Sequence, residues 1–84
     1  MYKVIVPKKI QKKIFKIPIP CQKRILLILK SLETDPFIGK KLEGKYKDCY
    51  SIRVWPYRII YTVKKKELII EVIVIEHSGG AYRR

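Results

Sequence analysis

Arg53 and Arg58 stand at mirror-image distances from the dipeptide Trp55-Pro56. The stretches Tyr50–Trp55 and Tyr57–Val63 are rich in aromatic and β-branched residues with a period of two. They read as two strands around a turn. A hairpin centred on that turn sets Val54 opposite Tyr57 and Arg53 opposite Arg58. Two like charges directly across a strand pair repel. An anion between them would remove the conflict, and the guanidinium fork fits phosphate better than any other side chain. The plainer reading has the two long side chains diverging into water, and a bulge at the proline turn would remove the pairing.

His77, the only histidine, follows the apolar run Leu68–Glu76, which returns antiparallel towards the Arg58 end. A lone histidine at a strand end serves either as a structural hydrogen-bonder or as a proton carrier. Tyr82 sits in a basic tail with Arg83 and Arg84. It reads as a surface aromatic, a platform for stacking a base or a proton donor. Cys21 and Cys49 have no metal-ligand spacing and read as packing residues; no cofactor is expected.

The elements that would position these residues follow from periodicity. Tyr2–Val6 is short and β-prone. Ile10, Ile14 and Ile17 give helical spacing to a basic segment opened by Pro7. Pro20 suits the first turn of a second helix, whose stripe is Cys21, Ile25, Ile28, Leu29 and Leu32. Thr34-Asp35-Pro36 ends it, and Phe37–Lys47 is a loop with two glycines and four lysines. In the meander, Tyr50, Ile52, Val54, Tyr57, Ile59, Tyr61 and Val63 share one face, which should meet the helices. Ser51, Arg53, Arg58, Ile60 and Thr62 share the other. Leu68–Glu76 is apolar nearly throughout, so it should lie centrally and be covered on both faces. The order β-α-α-β-β-β defines an α+β domain over residues 1–84.

The balance of charge narrows the partners. Twenty Lys and Arg against seven Asp and Glu give +13 in 84 residues. Such a field suits nucleic acid, an anionic membrane surface or an acidic protein. The apolar runs are strand-length, far short of the ~20 residues that span a bilayer. Met1–Val6 is too short for a signal peptide, so a cytoplasmic location is expected and no membrane partner.

The ordered motifs add to this. Leu42-Glu43-Gly44, Cys49-Tyr50-Ser51-Ile52-Arg53-Val54, Tyr57-Arg58-Ile59-Ile60-Tyr61, Ile75-Glu76-His77 and the late Tyr82 resemble the RelE/ParE toxin superfamily. Asp35-Pro36 with Gly39 matches the loop that leaves the second helix in that family. The resemblance covers essentially the whole chain and implies a helical hairpin packed on a curved antiparallel sheet. RelE-like members cut messenger RNA in the ribosomal A site without a metal: the ribose 2′-hydroxyl attacks the adjacent phosphate, leaving a cyclic phosphate and a free 5′-hydroxyl. ParE-like members poison DNA gyrase instead.

The resemblance places catalysis at Arg53, Arg58, His77, Ser78 and Tyr82. Arg58 would hold the scissile phosphate and stabilise developing charge, with Arg53 doing similar electrostatic work. Tyr82 would stack on the base or assist proton transfer. Ser51 stands where some members carry a second lysine. Ser78 stands where many carry an arginine, a charge that Arg83 or Arg84 would have to restore. Lys40, Lys41, Lys45 and Lys47, with Arg83 and Arg84, fit RNA and ribosome docking through phosphates. The implied partners are the ribosome, its message and an acidic, partly disordered RelB-like antitoxin in a hetero-oligomer. Apolar positions such as Ile60 would be exposed for that antitoxin to cover. The alternatives are a gyrase inhibitor of the ParE type and a catalytically weak relative that only binds RNA or antitoxin.

Overall fold

Prolines set where the helical half of the chain begins. A computed structural model describes residues 1–77. Pro7 caps α1 (Lys8–Ile14), and Pro18 caps α2 (Ile19–Ser31), with Pro20 in its first turn. A proline there loses no hydrogen bond, because the first amides of a helix have no partner within it. Ile10, Ile14 and Ile17 are buried from the first helix and the turn after it, and Ile25, Leu29 and Leu32 from the second and its cap. Gln22, which falls outside the apolar stripe, is half-buried and donates to Ile14 O at 3.1 Å and Ile17 O at 3.2 Å. Its amide thus satisfies carbonyls at the end of α1 and ties the hairpin together.

The remaining elements form one five-stranded sheet in the order β1-β5-β4-β3-β2. These are β1 (Lys3–Ile5), β2 (Lys40–Lys41), β3 (Cys49–Val54), β4 (Tyr57–Lys64) and β5 (Ile69–His77). β1 runs parallel to β5, and the other pairs are antiparallel. The α+β architecture is the expected one. Two details differ. The expected loop over 37–47 contains the edge strand β2 and a 3₁₀ turn, Gly44–Tyr46. The middle strand is β4, and β5 lies one place from the edge with Ile73 exposed, so the apolar third strand is not covered on both faces.

The core joins the two halves. Ile10, Ile14, Ile17, Ile25, Leu29 and Leu32 pack on Val54, Ile59, Tyr61, Ile70, Val72 and Ile75. Tyr61 is fully buried, donates its hydroxyl to Pro36 O at 2.9 Å and accepts from the Gly39 amide at 3.1 Å. Its ring stacks on Tyr50, with centroids 5.7 Å apart. A Cβ on Gly39 would lie 2.7 Å from that hydroxyl and 3.0 Å from Ser51 O. Only glycine lets the loop approach this closely, and the residue it delivers next is Lys40 on β2. Arg24 on α2 donates to Trp55 O at 2.7 Å and pins the β3–β4 turn, whose Trp55-Pro56 bond is cis.

Ile60 corrects one expectation. It is fully buried, not exposed, paired between Ser51 on β3 and Val74 on β5 and outside the main core. Exposed large apolar side chains lie elsewhere, among them Phe15, Ile19, Leu26 and Leu27 on the helical hairpin and Trp55 at the turn.

Candidate active site

The hairpin registers as its symmetry requires, with Val54 opposite Tyr57 and Arg53 opposite Arg58. Alternation sends Tyr57, Ile59 and Tyr61 towards the helices and Arg58 to the open face. The motif Tyr-Arg-x-x-Tyr is therefore two things at once: its tyrosines build the core and its arginine leaves it.

On the open face, Lys40, Leu42, Ser51, Arg53 and Arg58 line a cavity of about 340 Å³. Lys40 lies directly across from Ser51. The charge missing at position 51 is thus present one strand over. Lys41, its neighbour, pairs with Tyr50 and faces the other way, lining a separate cavity with Lys47. Lys45 reaches the Tyr46 ring, 5.8 Å from its centroid. Of the four loop lysines expected to dock RNA, Lys40 alone joins the arginines.

β5 contributes a residue to which the motifs assign no role. Glu76 is opposite Arg58, and the two form an ion pair through the guanidinium nitrogen Nη2 and the carboxylate oxygen Oε2. Arg53, Arg58 and Glu76 make one row across three strands. The anion that relieves the two arginines is in part the protein's own carboxylate. Each partner of the pair is about one-third exposed (31% for both side chains), so a solute can still reach it.

A β-bulge aims Glu76. Ile60 pairs with Val74 and Tyr61 with Val72, which leaves Ile73 as an extra residue on β5. Ile70 and Val72 point into the core; strict alternation would then send Val74 and Glu76 there too. The extra residue reverses the parity, so Ile75 is buried in the core and Glu76 joins the arginine face. A strand apolar at nearly every position carries no alternation from which this could be read.

His77 goes to the opposite side. It is paired with Tyr57, and their rings meet edge to face at 5.1 Å between centroids. Tyr57 packs against the core. His77 therefore shares an end of the sheet with Arg58 but not a face. Ser78, Tyr82, Arg83 and Arg84 lie outside the described residues.

Chemically, the concavity gathers Lys40, Arg53 and Arg58 among the described residues, with the Glu76 carboxylate beside them. Preorganised guanidinium groups bind phosphate oxygens and stabilise charge that develops on them. Cys21 and Cys49 are unlinked thiols, half-buried on α2 and β3. Burial, then the charge of Asp48, pushes the Cys49 thiol up, away from a reactive thiolate.

The family model for the ParE toxin of type II toxin-antitoxin systems, parDE, matches residues 6–82. The chain is similar to the archaeal RelE in the RelE–RelB complex from Pyrococcus horikoshii, with 30% identity over 93% of this chain and 96% of that one, and a TM-score of 0.81. The isolated E. coli RelE toxin superposes with a TM-score of 0.79 at 23% identity, over 93% of this chain and 85% of that one. A chain of the YoeB–YefM complex from Staphylococcus aureus gives 0.71 at 21% identity, over 92% and 97%. No curated protein matches the chain in sequence. The chain belongs to the RelE/ParE superfamily of toxins from type II toxin–antitoxin systems.

Proposed function

We propose that this toxin is an endoribonuclease of the RelE type. It cuts messenger RNA in the ribosomal A site by attack of the 2′-hydroxyl on the neighbouring phosphate. The observation that carries the reading is the cross-strand pair of Arg53 and Arg58, opening with Lys40 onto one cavity. Arg58 holds the scissile phosphate, and Arg53 and Lys40 add charge along the strand of RNA. The other exposed lysines dock ribosomal RNA, which makes binding fall steeply with salt. Tyr82 stacks on the substrate base or assists proton transfer, and Arg83 or Arg84 restores the charge absent at Ser78.

The regulating partner is an acidic RelB-like antitoxin. The Pyrococcus relative was solved with its RelB partner. The +13 charge and the apolar side chains Phe15, Leu26, Leu27 and Trp55, exposed on the helical hairpin and at the turn, suit an acidic chain that also buries apolar surface. Both the ribosome and such an antitoxin place the protein in the cytoplasm. No helix among the described residues is long and apolar enough to cross a membrane.

One finding favours a second reading. The matching family model is the one named for ParE, so inhibition of DNA gyrase is the alternative. Translation in a cell-free extract with purified toxin, followed by primer extension on the message, separates the two. Ribosome-dependent cuts that vanish with Arg58→Ala are expected. Intact message together with blocked plasmid supercoiling would replace the nuclease by a gyrase inhibitor. If both activities are missing while antitoxin still binds, the chain is a relative without catalysis.

A further inference from the structure

Cleavage through a 2′-hydroxyl requires a group that accepts its proton. On the arginine face the candidates are few. Lys40, Arg53 and Arg58 are hydrogen-bond donors with no acceptor site. Ser51 and Thr62 offer only neutral hydroxyls, far weaker proton acceptors than a carboxylate. His77, the residue type best suited to the task, stands on the opposite face against Tyr57. Glu76 is the one carboxylate among the described residues that the structure ties to this row of arginines.

We propose that Glu76 is the general base, a role that rests on the nuclease reading above. The guanidinium of Arg58 is a planar fork of five N–H donors. One edge holds the Glu76 carboxylate. A phosphate on a neighbouring edge brings its own ribose alongside, because the 2′-oxygen poised for attack sits within about 3–3.5 Å of the phosphorus. Arg58 therefore does two jobs, gripping the electrophile and holding the base beside the nucleophile. In the step itself the 2′-O–H proton passes to Glu76, and the 2′-oxygen forms its bond to phosphorus. The bond from phosphorus to the 5′-oxygen breaks, and that oxygen takes a proton from water. The carboxylic acid of Glu76 then returns its proton to solvent. The pairing with Arg58 holds the carboxylate in place between turnovers, and the Ile73 bulge keeps it on the correct face.

Glu76→Gln removes the base while keeping the size and hydrogen-bonding capacity of the side chain. Its test is single-turnover cleavage of message on programmed ribosomes, with binding of a message carrying a 2′-O-methyl group at the cut site measured in parallel. The expected result is cleavage slowed by roughly 10²–10⁴-fold with binding equal to or tighter than wild type. Glu76→Asp, which keeps a carboxylate at shorter reach, should fall between. A message with a sulfur at the 5′-leaving position needs no acid, and the Glu76→Gln defect should persist on it. Rescue by that sulfur would move Glu76 to the leaving-group side and overturn the proposal. Cleavage by Glu76→Gln within threefold of wild type would overturn it as well, as would a parallel loss of binding and thermal stability with Asp no better than Gln. If the wild type itself does not cut, the nuclease reading fails and the role of Glu76 with it; cutting that survives Glu76→Gln sinks the role alone.

Discussion

The two faces of β4 are built for opposite purposes from alternating residues of one strand. Towards the helices, Tyr57, Ile59 and Tyr61 are packed against the core, with Ile59 and Tyr61 fully buried. Away from them, Arg58 keeps about a third of its side chain in solvent and balances its charge with Glu76. One face minimises freedom and polarity. The other concentrates charge that the core could not hold. In so small a domain, stability and chemistry are separated by one residue of the chain rather than by distance.

Adjacent substitutions should break that separation in opposite directions. Arg58→Ala removes the phosphate ligand. Cleavage should fall by 10²–10³-fold or more, as loss of a preorganised charge stabiliser does. Thermal unfolding should change by only about 1 kcal/mol, the scale of a partly exposed ion pair. Ile59→Ala, one position on, should cost about 2–5 kcal/mol of stability through the cavity it leaves. That is a large share of the ~5–15 kcal/mol a domain possesses. Low temperature that restores the fold should restore cutting in Ile59→Ala and not in Arg58→Ala.

Tyr61→Phe is a smaller perturbation of the same core face. It leaves Pro36 O and the Gly39 amide without their partner, at a cost of about 1–3 kcal/mol. The loop that carries Lys40 should loosen, measurable as faster amide exchange at Gly39. Burial raises the Tyr61 hydroxyl above its ordinary value of 10.0, against the opposing pull of the Gly39 amide. The folded state thus holds this proton more tightly than the unfolded chain. The stability it contributes is complete below pH ~10 and is lost above it, at up to about 1.4 kcal/mol per pH unit. The gap between wild type and Tyr61→Phe in denaturant titrations should therefore narrow above pH ~10.

The smallest test sharpens the comparison on β2. Lys40 and Lys41 are neighbours on opposite faces. Lys40→Ala should slow cutting several-fold and flatten the salt dependence of single-stranded RNA binding by about 0.7 in log–log slope, one phosphate contact. Lys41→Ala should leave the cutting of bound message unchanged.

Much of this fold is legible in sequence because its signals are local. Prolines marked the helix starts, isoleucine spacing gave the helical faces, and the symmetry of the Trp55-Pro56 hairpin gave the Arg53–Arg58 register. What escaped depends on neighbours distant in the chain. Lys40 looked like one of four loop lysines until β2 paired it with Ser51. Ile60 looked exposed because parity names a face and not what covers it. Glu76 and His77 could not be assigned to faces, since Leu68–Glu76 lacks an alternating pattern and the bulge that fixes them leaves no composition signal.

The unpaired Ile73 sets the character of the site by counting rather than by chemistry. If Ile73 were instead paired in a regular ladder, every side chain beyond it would turn over. Glu76 would move towards the helices, and His77 would come up beside the arginines. Loss of the bulge at constant strand length would thus exchange a carboxylate for an imidazole without changing either residue type. Comparing relatives of this toxin by whether the last strand carries this bulge, as well as by its letters, would separate those that present an acid from those that present a histidine.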